Sequence, residues 1–85
     1  MTTPPVLVDE RVAAVRCTDA ELHVDLVDGR TITVPLAWYP RLSAATPAER
    51  EDWEMCGGGY GIHWPQIDED ISTRGMLEGK PAPVI

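Results

Sequence analysis

Cys17, Cys56, His23 and His63 are the residues of this chain best equipped for chemistry. Cys56 and His63 flank the run Gly57-Gly58-Gly59-Tyr60-Gly61. A thiol beside an imidazole forms a nucleophile and its base, and the glycine amides could serve as oxyanion donors. A packed thiol beside a glycine turn is the bland alternative, since one cysteine and one histidine make a weak signature. The four residues also have the inventory of a zinc site. Structural zinc needs closely spaced cysteine or histidine pairs, and this chain has neither. The glycine run lacks the Lys-Ser or Lys-Thr of a phosphate loop and leads into a strand, so it reads as a connector. Neither a metal nor a cofactor is expected.

Asp68-Glu69-Asp70 lacks the alternation of Asp and Gly in a calcium loop. It precedes a helix start at Ser72, where carboxylates suit the helix dipole and its free amides. The other use for these acids is to face a basic partner. Trp38-Tyr39-Pro40-Arg41 and His63-Trp64-Pro65 combine aromatic rings with polar handles, the residue types favoured as interface anchors. The candidate partner-binding set is therefore Trp38, Tyr39, Arg41, His63, Trp64, Asp68 and Asp70. A core that has no Phe also needs its tryptophans, which leaves Trp38 and Trp64 divided between core and interface. Trp53 is expected to anchor its helix in the core.

The elements that must position these residues belong to a short chain. Its 85 residues suffice for one domain, expected over 6–79 with tails at 1–5 and 80–85. A chain of this size buries roughly 60 to 65 per cent of its unfolded surface, which favours a shallow groove over a deep cavity. Fourteen acids against seven bases give a net charge of -7. Such a surface repels phosphate backbones and anionic lipid and attracts basic partners, so direct nucleic-acid binding is not expected. No signal peptide or apolar run long enough to span a membrane is visible, and two cysteines read as buried thiols. The expectation is a soluble cytoplasmic protein.

The first half reads as strands. Arg11 to Cys17 alternates with Ala13, Val15 and Cys17 on one face, and Ala20 to Leu26 with Leu22, Val24 and Leu26 inward. Thr31 to Val34 continues with Ile32 and Val34 inward and is ended by Pro35. A three-residue loop, Val27-Asp28-Gly29, pairs Leu26 with Arg30, Val24 with Ile32 and Leu22 with Val34, which keeps one face dry. That register predicts a type I turn with Gly29 left-handed in a G1 bulge. Thr46, Pro47 and Glu49 form a capping-box helix start, and the helix is expected to run to about Met55. Tyr60 to Trp64 reads as a fourth strand. Ser72 then caps a short helix stopped by Gly79. The fold class is α+β: an antiparallel three- to four-stranded sheet with one or two helices on one face, in the order β-β-β-α-β-α.

The motifs Asp28-Gly29-Arg30, Val34-Pro35-Leu36, Trp38-Tyr39-Pro40-Arg41-Leu42 and Ala45-Thr46-Pro47 with Arg50 and Trp53 occur in order. Gly61-Ile62-His63-Trp64-Pro65 and Asp68-Glu69-Asp70-Ile71-Ser72 with Leu77 follow them. This run, over about residues 8 to 79, resembles the small bacterial family known as domain of unknown function 2442. The resemblance implies an α+β fold and no established activity. Some relatives carry an added helix-turn-helix, for which this chain has no room. Short relatives are often encoded beside a second small protein, of family 4160, in what looks like a toxin–antitoxin module. The triple glycine is richer than the family pattern, and no function is carried onto it. The leading expectation is a non-enzymatic protein-binding module, the antitoxin-like acidic partner of a small basic protein. One alternative is a cysteine-dependent enzyme using Cys56 and His63. Another is a sensory domain acting with a separate DNA-binding protein. Self-association through a strand edge is also open.

Overall fold

The structure is a computed structural model, and it describes residues 7–80. Strands β1 (Val12–Cys17), β2 (Glu21–Leu26) and β3 (Thr31–Pro35) form one antiparallel meander. A 3-10 turn at Leu36–Trp38 leads into the short helices α1 (Pro40–Ser43) and α2 (Pro47–Glu51). A second antiparallel meander follows, built from β4 (Glu54–Cys56), β5 (Gly61–Trp64) and β6 (Glu69–Ser72). Helix α3 (Thr73–Leu77) comes last. The protein is α+β, but the expected single sheet of three to four strands is two sheets of three, in the order β-β-β-α-α-β-β-β-α.

The first hairpin adopts the expected register. Leu22 faces Val34, Val24 faces Ile32, and the Leu26 amide donates to the Arg30 carbonyl at 2.8 Å. Gly29 takes φ +97°, a conformation that L side chains rarely adopt, and its amide donates to the Leu26 carbonyl. Asp28 ties this turn to the N-terminal segment. Its carboxylate accepts from the Asp9 amide, the Arg30 amide and the Arg30 Nε at 3.0 to 3.1 Å.

One strand departs from plain alternation. The register of β1 shifts between Val12 and Ala14, so Val12 is buried and Ala13 is exposed rather than inward. The extra residue restores Val15 and Cys17 to the inner face.

The helix expected from Pro47 to Met55 stops at Glu51. Its start is the expected capping box: Thr46 Oγ1 accepts from the Glu49 amide, and the Glu49 carboxylate accepts from the Thr46 amide. Its end is set from outside, because Trp64 Nε1 donates to the Arg50 carbonyl at 3.0 Å. Asp52 then turns out of the helix at φ -90°, ψ 73°, and Glu54, Met55 and Cys56 pair with β5. Trp53 consequently lies in the connector, half-buried against the core, instead of anchoring a helix. Asp68-Glu69-Asp70 also differs from expectation. Glu69 and Asp70 belong to β6, and Ser72 alone caps α3 by accepting from the Gly75 amide at 2.9 Å.

Gly79 ends α3 at φ +70°, donating to the Met76 carbonyl while the Lys80 amide donates to the Gly75 carbonyl. This pair of bonds is a Schellman motif, which needs a left-handed residue at the position glycine occupies. Lys80, expected in a tail, therefore belongs to the helix cap; the rest of the expected tails, 1–5 and 81–85, lies outside the described residues. Both sheets and α1 and α3 contribute to one core. Its centre is Leu22, Val24, Leu36, Leu42, Ile62 and Trp64, each at most 1% exposed.

Candidate functional site

The outer face of the second sheet brings together three of the residues singled out for chemistry, Cys56, His63 and Asp70. Cross-strand pairing sets Glu54, His63 and Asp70 in one row, and Cys56, Gly61 and Ser72 in the next. Cys56 is therefore a diagonal neighbour of His63 on the same face. His63 Nδ1 lies 2.6 Å from Asp70 Oδ1. An ionised carboxylate only accepts, so Nδ1 carries the proton and donates it to Asp70. The bond to Asp70, helped by the negative charges of Glu54 and Asp68, raises the His63 pKa above its ordinary value.

Cys56 has the opposite of a nucleophile's environment. Burial, with the negative charge of Asp70 and Glu54, pushes its thiol pKa up. Thiolate reactivity needs a nearby cation or a helix N-terminus, and here the neighbours are acids. The thiol instead covers Gly61, whose missing Cβ would come within 2.8 Å of Cys56 Sγ. Gly57–Gly59, all three at positive φ, form a tight turn that enters β5, a strand rather than a helix. Cys17 and His23 belong to the first sheet, where burial raises the Cys17 pKa and His23 Nδ1 lies 3.0 Å from Thr33 Oγ1. Among the described residues no group of three or more His, Cys, Asp or Glu side chains is placed to hold a metal ion.

Electrostatics distinguishes this face from the rest of the molecule. Arg11 pairs with Asp9, Arg16 with Asp25, Arg30 with Asp28 and Glu10, Arg74 with Glu10, and Lys80 with Glu78. Arg50 spends its guanidinium on the Leu42 and Ser43 carbonyls. The surplus acids lie elsewhere. Glu51, Asp52, Glu54 and Asp68 are exposed, and none of them pairs with a Lys or Arg side chain among the described residues. Asp52 accepts from Gln66 Nε2 at 2.8 Å, and Asp70 has only the imidazole. Five acids thus line a band from the end of α2 across the second sheet, with the exposed Arg41 beside Asp68 as its one base among the described residues, while Asp19 and Glu21 add negative charge near the first sheet.

The candidates named from sequence separate into two groups. Tyr39 is 3% exposed and Trp64 0%, so both belong to the core. The Tyr39 hydroxyl has no partner among the described residues, and burial, then Glu69, raises its pKa. Trp38 is half-buried against the same core. Arg41, Asp68 and Asp70 are exposed, and Arg41 Nη1 donates to the Asp68 carbonyl at 2.6 Å, holding the β5–β6 turn. Glu51, Asp52 and Glu54 were missed because a helix through Met55 separates them from the strand row that holds His63 and Asp70. The alternation of Glu54, Met55 and Cys56 ahead of a glycine turn was the available signal for a strand.

The sequence is matched over residues 12–82 by the family model described as Protein of unknown function (DUF2442). No curated protein matches the chain significantly. Among solved structures it is similar to a protein of unknown function from Rhodospirillum rubrum. The two share 32% identity and a TM-score of 0.74, over 86% of this chain and 90% of that one. It also shares its fold with an uncharacterised protein from Chromobacterium violaceum, at 22% identity and a TM-score of 0.72, over 87% of this chain and 70% of that one.

Proposed function

The chain belongs to the DUF2442 family, and from that premise we propose that it is a non-enzymatic binding module for a basic protein. The observation that carries this reading is the position of the surplus charge. Bases on the first sheet and on α3 are paired within the fold, while Glu51, Asp52, Glu54, Asp68 and Asp70 are left facing outward. A one-sign patch on a small protein raises the encounter rate with an oppositely charged partner and excludes like-charged ones. The toxin–antitoxin arrangement implied by the family resemblance is one form this pairing takes, with the acidic chain as the antitoxin-like member.

Affinity capture from the native host at low salt tests the reading. A stoichiometric basic partner, released by raising the salt and lost with the double variant Glu54→Lys, Asp70→Lys, is the expected result. Recovery of no basic protein, or equal recovery by that variant, sinks it. The competing cysteine-enzyme reading draws on the His63–Asp70 bond and on the shared face of Cys56. It requires a reactive Cys56 thiolate, against which its acidic neighbours act. A sensory role with a separate DNA-binding protein uses the same acidic face and differs only in the identity of the captured partner.

A further inference from the structure

Strand β1 is the outer strand of the first sheet, paired with β2 alone. Thr18 donates its amide to the Glu21 carbonyl at 2.9 Å, which fixes the alternation along the strand. Ala14, Arg16 and Thr18 direct their main-chain groups toward β2, and Val15 and Cys17 direct theirs away. Among the described residues those outward N–H and C=O groups have no partner. Proteins usually cover such an edge with a helix or guard it with charge. Here α2, which buries none of its own residues, lies across a groove of about 530 Å³ from the strand. Val15, Cys17, Pro47 and Trp53 give the groove apolar walls, with Asp19 and Glu51 among its acids.

The bases of the groove are already committed. Arg16 bonds Asp25 at 3.1 Å, and Arg50 bonds the Leu42 and Ser43 carbonyls at 3.0 and 2.9 Å. Asp19 meets only Arg50 Nη1, at 4.0 Å, and Glu51 meets no base among the described residues. Bonds to neutral carbonyls leave Arg50 charged, so it offsets Asp19 as Asp25 offsets Arg16, and the charge left for an incoming chain is the unpaired carboxylate of Glu51.

We infer that the open edge of β1 takes a short extended segment carrying basic side chains, added as a fourth strand in the groove beside α2. The inference rests on the binding-module reading above and specifies how the basic partner is held. Main-chain bonds to Val15 and Cys17 supply affinity that does not depend on side-chain identity, and alternate side chains of the added strand enter the groove. A Lys or Arg there lays its methylenes along the Trp53 indole and carries its charge to Glu51. The register shift between Val12 and Ala14 limits regular pairing to the C-terminal part of the strand, so the segment is short. A second copy is a poor occupant, because it brings another net charge of -7 to the same edge.

The test uses two blocked peptides of equal charge, Lys-Val-Lys-Val-Lys and Lys-Pro-Lys-Pro-Lys, with amide exchange of the full chain followed by NMR at low salt. Exchange at Val15 and Cys17 should slow by about tenfold or more with the first peptide and not with the second, which lacks the donors for a ladder. Glu51→Lys should weaken binding of the first peptide by about fivefold. Cys17→Pro, which removes the outward N–H at an edge position that tolerates proline, should abolish its advantage over the second. If Cys17→Pro does not fold, the exchange measurement on the unaltered chain decides. Equal binding of both peptides with shifts confined to Glu54, His63 and Asp70 overturns the edge inference and leaves the acidic-face reading standing. Binding of neither overturns both. Slow exchange at Val15 and Cys17 in the peptide-free chain shows the edge already covered and overturns the inference alone.

Discussion

Replacing Arg50 by methionine keeps the aliphatic stem and deletes the guanidinium that ties α1 to α2. Two bonds disappear, Nε to the Leu42 carbonyl at 3.0 Å and Nη2 to the Ser43 carbonyl at 2.9 Å, from a side chain 12% exposed. Both carbonyls belong to the last turn of α1, and the Leu42 carbonyl, which also accepts from the Ala45 amide at 3.2 Å, takes the Arg50 bond on its second lone pair. A hydrogen bond from a charged group contributes about 1.5–3 kcal/mol, and the Leu42 bond, which is partly buried, takes that value. Water replaces much of the exposed Ser43 bond, which is then worth about 0.5–1 kcal/mol. The expected loss is about 2–4 kcal/mol, a large share of the roughly 4–13 kcal/mol typical of a chain this long. The melting midpoint should fall by roughly 8–25 °C, read together with urea unfolding followed by tryptophan fluorescence. Arg50→Lys, with one compact ammonium, should recover about half of the loss. The Trp64 indole bond goes to the Arg50 main-chain carbonyl and survives both changes, so the comparison isolates the side chain. A loss below about 1 kcal/mol for the methionine variant would refute the claim that this clamp holds α1 to α2.

Three further expectations concern ionisation. The Arg30 side chain, then the Asp9 amide, hold the Asp28 carboxyl at about 2 against an ordinary 3.8, so its stabilising effect is present above pH 3.8 and lost as pH falls through 2. Asp28→Asn should flatten the acid-unfolding curve in that window, and an unchanged curve would count against the turn as an anchor. The His63 pKa is raised from 6.5 chiefly by Asp70, so its contribution is full below pH 6.5 and is lost as pH rises through the raised midpoint. An NMR titration should show the midpoint falling in Asp70→Asn, and equal midpoints would remove the bond from the account. Alkylation of Cys56 should be slow at neutral pH, accelerate above pH 9.0, and become faster in Glu54→Gln; rapid reaction at pH 7 would revive the cysteine-enzyme reading.

Much of the local structure was legible in the residues because its causes are local. A left-handed position demands Gly29, dry-face pairing demands Leu22 opposite Val34, and the caps at Thr46 and Ser72 satisfy amides within their own first turns. The family resemblance was legible because its motifs, such as Asp28-Gly29-Arg30 and Thr46-Pro47, are short stretches of sequence read in order. The acidic face was not. Glu54, His63 and Asp70 become neighbours only after β4 pairs with β5 and β5 with β6, and the short acidic strands carry weak periodicity.

From the sequence alone came the α+β class, the first hairpin with its register, both cap sites and the acidic balance. Tertiary structure decided that the strands divide into two sheets, that α2 ends at Glu51, and that Tyr39 and Trp64 are core while Asp68 and Asp70 face solvent. The physical reason is range. Turn geometry, capping and alternation act over a few residues of chain. Helix termination by the distant Trp64 indole and the choice of strand partners depend on burying a shared core, which exists only when the whole chain has folded.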